Sequence, residues 1–367
     1  MYNKISEQSQ RRIEEKMGKL RERLANEALR HIIEFARTPA DLKGEMDRFV
    51  IGQEKGKKII ATAIAFHYRR LGLALKQALE EGGKSPEEAL RSTTTPKANI
   101  LMMGPTGCGK TYTSETASAL VGVPFVQEDM TKFSEVGYVG QNIADVLVDL
   151  LLAADGDPLI AQMGMVYLDE IDKIAAEPLV GKDVSGKGVQ KGLLRLVEGI
   201  ENTLELGGER ILLSTKHVLF IAGGAFDKME STVRSRLLKY GIEGDWQDHL
   251  LTEDLVAHGM ERQLMGRFPV RVVYDPLTTQ DLQNILVKSE DSPLKAYVND
   301  LKGWDIDLTV TDEALREVAR RAKKEKTGAR GLISILHRLL FEDLYRLPGA
   351  HTGDLVVDRH YVQERLP

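Results

Sequence analysis

Gly104-Pro105-Thr106-Gly107-Cys108-Gly109-Lys110-Thr111 is the stretch on which the reading of this chain turns. It completes the pattern G-x-x-x-x-G-K-[ST] and follows directly on an apolar run, Asn99-Ile100-Leu101-Met102-Met103. The glycines let successive backbone N–H groups turn inward and cradle phosphate oxygens. Lys110 has the reach for the β- and γ-phosphates, and the Thr111 hydroxyl suits a Mg²⁺ ion. A helix opening here adds the positive end of its dipole. In strand–turn–helix context the eight residues predict a nucleotide site; the alternative is a tight turn without a ligand.

Working outward, Met165-Val166-Tyr167-Leu168-Asp169-Glu170 is an apolar run ending in two carboxylates, and Asp169 lies 59 residues (169 − 110) past Lys110. Alone, such a pair reads equally well as a solvated strand end or a helix cap. Behind a phosphate loop, Asp169 is expected in the Mg²⁺ shell and Glu170 is placed to polarise an attacking water. A small-molecule kinase has no need of that glutamate. The guanine-reading tetrapeptide Asn-Lys-x-Asp does not occur. The pair therefore favours ATP hydrolysis coupled to motion.

Composition narrows the classes. The 367 residues are 42% hydrophobic and 29% charged with a formal net charge of −5, so no global basic field points to nucleic acid. No apolar stretch approaches the ~20 residues of a membrane span. The first residues, Met1-Tyr2-Asn3-Lys4-Ile5, lack the apolar core of a secretory signal. Cys108 is the single cysteine, and the eight histidines include no His-x-x-x-His pair. A cytoplasmic protein without nucleic-acid or membrane partners is expected.

Three regions emerge. Residues 1–40 are charged and helical in pattern, with Ile13, Met17, Leu20 and Leu24 spaced 4, 3, 4. They form either a helix packed on its own body or an arm that docks an adaptor or substrate. Residues 41–276 alternate short apolar runs (Phe125-Val126, Met165 to Leu168, Val218 to Ala222) with helical patterns, as in a parallel sheet covered on both faces. Residues 277–367 are mainly helical, with a strand-like end at Asp354 to Val357. The expected class is α/β, a large P-loop domain followed by a smaller helical one.

Further motifs fall in a fixed order: Val50-Ile51-Gly52-Gln53, the phosphate loop, Gly137-Tyr138-Val139-Gly140, Asp169-Glu170-Ile171-Asp172-Lys173-Ile174, Asp183-Val184-Ser185-Gly186, Gly266-Arg267-Phe268-Pro269 and Thr327-Gly328-Ala329-Arg330-Gly331-Leu332. Over residues 40 to 348 this closely resembles the ClpX/HslU branch of the AAA+ ATPases, ring-forming protein unfoldases. The resemblance implies that Val50 and Ile51 pack the adenine base. It places Arg267 on the arginine finger, which reaches the neighbouring subunit's γ-phosphate, and Arg330 on the sensor-2 arginine. Gly137, Tyr138, Val139 and Gly140 fall on the pore loop that grips substrate polypeptide. It implies ATP and Mg²⁺ as cofactors, protein substrates, and a homo-oligomer, a hexamer in the family.

Three features depart from the pattern. The cysteine count leaves no zinc-binding module. Only 29 residues (169 − 140) separate Gly140 from Asp169, too few for the inserted domain of HslU. The region where the ClpX branch carries an Ile-Gly-Phe-type peptidase loop reads Leu238-Lys239-Tyr240-Gly241-Ile242-Glu243-Gly244-Asp245-Trp246, and Glu364 to Pro367 does not resemble the HslU docking tail. A peptidase partner is not expected on this pattern, and Trp246 is either a partner anchor or core packing. The position of the polar sensor after Val218 to Ala222 holds Gly223-Gly224. The leading expectation is an ATP-driven unfoldase or remodeller. The competing readings are a dedicated non-degradative assembly factor and a nucleotide-gated scaffold with little turnover.

Overall fold

The computed structural model describes residues 27–80, 83–133, 144–175, 186–206 and 208–366. Its centre is a five-stranded sheet in the order β2-β3-β6-β1-β7, with β1 Ile100–Met103, β2 Phe125–Asp129, β3 Met165–Asp169, β6 Leu219–Gly224 and β7 Val270–Val273. All four pairings are parallel. Parallel strands buried on both faces need apolar side chains at odd and even positions alike, and β3 shows it. Met165 and Tyr167 enter one core with Ile100, Met102 and Ile221, while Val166 and Leu168 enter the other with Leu101, Met103 and Phe220. This is the expected α/β class.

Long helices cover both faces. The helix Glu54–Glu80 runs ten residues beyond the Arg70 end read from the sequence. Residues 27–33 are helical and bring Leu29, Ile32 and Phe35 into the core it shares. The two helices meet where a side chain on Gly72 would strike the Ile32 carbonyl at 2.2 Å. Within residues 1–40, the described part is thus packed on the body; Ile13, Met17, Leu20 and Leu24 lie outside the described residues. The break at Thr38 is a capping box, with Asp41 N–H on Thr38 Oγ1 at 3.2 Å and Thr38 N–H on the Asp41 carboxylate at 3.0 Å.

Several elements were not anticipated. The polar stretch 82–96 contains a capped helix, Pro86–Ser92. An antiparallel hairpin, β4 Glu201–Leu206 with β5 Glu209–Ser214, projects beside the sheet. The third core begins at Leu277 and is built by helices Thr279–Lys288, Pro293–Lys302, Asp312–Lys324 and Arg330–Arg346. There β8 Ile306–Val310 pairs in parallel with β9 Gly353–Val357, which realises the strand-like end.

Trp246 settles as packing: it is 9% exposed and sits in the first core. The exposed apolar residues of that region are Leu238 and Tyr240, at the end of the helix Met229–Tyr240, and Ile242 just after it.

Candidate nucleotide site

The site forms where β1, β3 and β6 end together. In a parallel sheet the strand C-termini open a crevice to which the loops deliver polar groups. Register aligns Met103 with Gly224 and Leu168 with Ala222, so the residues that follow these strands converge. Gly104 N–H donates to the Gly224 carbonyl at 3.2 Å and fixes the start of the loop on β6. Gly104, Gly107 and Gly109 have φ of 149°, 75° and 100°, which opens the cradle the motif predicts. The loop turns directly into the helix Lys110–Val121.

Lys110 folds back over the loop. Its Nζ donates to the Gly104 carbonyl at 2.6 Å and the Pro105 carbonyl at 3.1 Å. Thr106, Gly107, Gly109, Lys110 and Thr111 line one wall of a cleft of about 290 Å³; Asp169, Glu170, Asp172, Lys173, Asp227 and Arg330 are among the residues that line the rest. The structure thus brings together the loop, both carboxylates and Arg330, from three distant parts of the sequence.

The two carboxylates differ in their surroundings. Asp169 Oδ1 accepts from Glu170 N–H at 2.9 Å and from the Tyr167 hydroxyl at 3.5 Å; Oδ2 accepts from Gln127 Nε2 at 3.2 Å. Glu170 is exposed and held at φ 54°, a left-handed conformation that an ordinary residue adopts only when its surroundings impose it. Among the described residues, no side chain bonds its carboxylate. One carboxylate is positioned and the other is left free to meet a ligand.

Tyr167, Gln127 and Asp172 are supporting groups that sequence reasoning passed over. A Cβ on Gly223 would lie 1.9 Å from the Tyr167 hydroxyl, and one on Gly224 would lie 2.6 Å from Asp172 Oδ1. That accounts for Gly223-Gly224: the space where a polar sensor was sought is filled by side chains from the neighbouring strand and turn. Asp172 Oδ1 accepts from Ala225 N–H at 3.1 Å and pins the end of β6. The signal was the alternation of β3, which puts Tyr167 on the face of Asp169.

The C-terminal region touches the loop without side chains. Ala329 N–H donates to the Gly107 carbonyl at 3.0 Å, and a Cβ on Gly328 would lie 2.2 Å from that same oxygen. A second cavity of about 200 Å³ lies beside this contact, lined by Pro105, Thr106, Cys108, Pro276, Leu277 and Leu282 among others. Val50 and Ile51 line neither cavity; Val50 is buried, and its carbonyl accepts from Lys57 Nζ at 2.9 Å. Cys108 is 3% exposed, and burial pushes its thiol above the usual range, so it is a poor nucleophile at neutral pH.

Arg267 is elsewhere. Its guanidinium pairs with Glu198 at 2.8 Å, its carbonyl accepts from Asn99 Nδ2 at 2.9 Å, and it does not line the cleft. Gly137, Tyr138, Val139 and Gly140 lie outside the described residues, as does Asp183. A larger cleft of about 760 Å³ lies between the helix Pro86–Ser92 and the β4–β5 hairpin and contains none of the motif residues. Among the described residues no cluster of three or more acidic, histidine or cysteine side chains could hold a metal alone. Any metal here would be shared with phosphate oxygens, which suits the lone pair Thr111 and Asp169.

Comparison with known proteins agrees with this geometry. A family model for the AAA domain (Cdc48 subfamily) matches residues 95–271, and one for the C-terminal, D2-small domain of ClpB protein matches residues 277–354. The chain is 36% identical over 357 residues to the ATP-dependent Clp protease ATP-binding subunit ClpX 3 of Methylococcus capsulatus, covering 90% of this chain and 81% of that protein. It is 37% identical over 334 residues to the ClpX subunit of Borrelia duttonii, with 85% and 75% covered. To that of Porphyromonas gingivalis it is 35% identical over 350 residues, with 89% and 82% covered. With the phosphate cradle, the paired carboxylates and the arginine of the C-terminal region in one cleft, this chain belongs to the ClpX family of AAA+ ATPases.

Proposed function

We propose that this ATP-dependent chaperone works as a closed ring that draws polypeptide through a central pore, in the cytoplasm, with each ATP bound between two copies of the chain. The observation that carries the reading is the separation of Arg267 from the cleft that holds Lys110, Glu170 and Arg330. A cation is needed to stabilise charge on the transferring phosphoryl group. Arg267 has its fixed charge on the surface, its side chain 52% exposed, and suits the site of a second copy.

In this reading Lys110 and the loop N–H groups hold the phosphates, and Thr111 and Asp169 hold Mg²⁺. The metal supplies neutralisation of phosphate charge. Glu170 takes the proton of the attacking water. Arg330, first residue of its helix, moves with the C-terminal region and reports the nucleotide state to it. The apolar cavity at Pro276, Leu277 and Leu282 accepts the base.

Remodelling without degradation is favoured by the stretch ahead of Arg267. Residues 241–245 are a short turn between the helix Met229–Tyr240 and the buried Trp246; Ile242 is exposed there, but no Ile-Gly-Phe-type tripeptide is present. The relatives are named as subunits of a protease.

Tyr138→Ala tests the threading step. The variant should hydrolyse ATP at a rate close to that of the unaltered protein and lose unfolding of a tagged fluorescent protein. Undiminished unfolding would refute a pore role. Native mass spectrometry with ATP and Mg²⁺ should show one closed oligomer, and a monomer hydrolysing at full rate would refute the ring.

A further inference from the structure

Beside the phosphate loop, the short segment 48–53 joins the helices Pro39–Met46 and Glu54–Glu80 and is gripped by both the sheet-containing region and the C-terminal one. Arg48 pairs with Glu290 through two bonds, 2.6 and 2.9 Å, and its carbonyl accepts from Glu290 N–H at 2.9 Å. The Phe49 carbonyl accepts from Ser289 Oγ at 2.8 Å. Gly52 and Gln53 then turn the chain with φ of 75° and 57°. A left-handed glutamine next to a left-handed glycine is costly and is retained only where the fold demands the turn.

The turn delivers the Gln53 amide to one backbone position. Its Oε1 accepts from Asp275 N–H at 3.1 Å, and its Nε2 donates to the Asp275 carbonyl at 2.8 Å. A primary amide has one acceptor and a two-proton donor, so a single side chain imitates a neighbouring strand. The second Nε2 proton reaches the Cys108 carbonyl, inside the phosphate loop, at 3.4 Å. Asp275 lies between the last strand of the sheet, β7, and Leu277, the first residue of the third core. It is the one connection through which the C-terminal region is covalently attached. Gln247 holds the same residue differently: its Nε2 donates to Asp275 Oδ1 at 2.9 Å and does not reach the loop.

We propose that Gln53 is a positioning residue that keys the Asp275 connection to the phosphate loop, so that nucleotide occupancy of residues 104–111 is transmitted to the C-terminal region through the main chain, in parallel with Arg330. The proposal rests on the reading of the cleft as the nucleotide site. Phosphate binding reorders the loop carbonyls that Lys110 and Gln53 now occupy. The Gln53 amide shifts with Cys108, and Asp275 shifts with the amide. No charge is involved, so the link is insensitive to salt, unlike the Arg48–Glu290 pair.

The test is hydrogen exchange of residues 275–282 in the full chain, with and without ATPγS and Mg²⁺. In the unaltered protein the nucleotide should slow exchange there by roughly tenfold. Gln53→Met keeps the length and removes all three bonds. It should cut the nucleotide-induced change to less than about a third. Gln247→Met, which loosens Asp275 without touching the loop, should raise exchange in both states and keep the nucleotide response. That contrast separates transmission from mere support. A full response in Gln53→Met overturns the proposal, as does an equal loss of response in Gln247→Met. If Gln53→Met does not fold cooperatively, Gln53→Glu takes its place. It keeps the acceptor and sets an oxygen against two carbonyls; the same loss is expected, and a retained response overturns the proposal. Failure of the unaltered protein to bind ATPγS would instead sink the reading of the cleft itself.

Discussion

Mixing two inactive variants decides whether the fuel site is shared. Arg267→Ala removes the candidate trans cation, and Lys110→Ala removes the phosphate contact from the same chain. The Arg267–Glu198 pair is about half-exposed on the arginine side, 52%, and 34% exposed on the glutamate side. Such pairs contribute at most about 1 kcal/mol, so Arg267→Ala should fold with an almost unchanged thermal midpoint. Loss of an arginine finger slows phosphoryl transfer by roughly 10³-fold or more. The single variant should therefore bind a fluorescent ATP analogue and release almost no phosphate. Lys110→Ala should neither bind nor hydrolyse. In a ring built head to tail, co-expression at equal amounts places an Arg267→Ala chain next to a Lys110→Ala chain in the productive order at about one site in four. The first supplies the intact cradle, and the second supplies the intact arginine. Phosphate release should recover to roughly a quarter of the unaltered rate at saturating ATP. Native mass spectrometry confirms that mixed oligomers are present. Mixed oligomers with no recovery above the two singles would refute a shared site, as would an Arg267→Ala variant that hydrolyses normally.

Three further outcomes follow from the geometry. Gly328→Ala puts a Cβ 2.2 Å from the Gly107 carbonyl at a φ of 61°, so the variant should lose roughly 2 kcal/mol by thermal denaturation and bind nucleotide more weakly; an unchanged midpoint and affinity would show that the clasp is not tight. Tyr167→Phe keeps the packing and removes the hydroxyl beside Asp169, so half-maximal nucleotide binding should require about tenfold more Mg²⁺; an identical Mg²⁺ titration contradicts this. Burial lowers the His217 imidazole to about 4, its Nε2 on the Leu90 carbonyl at 2.9 Å and its buried Nδ1 without a hydrogen-bond partner among the described residues. The unfolded chain binds that proton near 6.5, so the contribution is fully present above pH 6.5 and is lost as pH falls towards 4, by up to about 3 kcal/mol. His217→Gln should flatten the pH dependence of the thermal midpoint between 6.5 and 4, and an unchanged slope argues against it.

The sheet was legible because buried parallel strands write themselves as unbroken apolar runs. Met165 to Leu168 and Val218 to Ala222 became β3 and β6 almost residue for residue. β7 escaped notice because Val270–Val273 carries Arg271 and follows a proline, and β8 because Ile306–Val310 alternates with Asp307 and Thr309. The helix Pro86–Ser92 was hidden in a stretch whose prolines, glycines and serines look like loop, although Ser85 and Glu88 form its capping box. The phosphate loop, Asp169, Glu170 and Arg330 line one cleft. What sequence could not place are side chains whose role depends on a cross-strand or cross-domain neighbour. Tyr167 matters because Gly223 makes room for it, and Gln53 matters because Asp275 arrives opposite after more than 200 residues of chain.

The helix at residues 27–33 acts as a stopper in the side of the ATPase body. Leu29, Ile32 and Phe35 fill a socket floored by Gly72, and His31 and Arg37 bolt it to the carbonyls of Val121 and Leu120 at 2.7 and 2.8 Å. A shortened version that begins at residue 41 would leave that socket open to water and clump. Protein engineers who wish to swap what lies ahead of the motor should cut before Leu29, where a graft leaves the engine sealed.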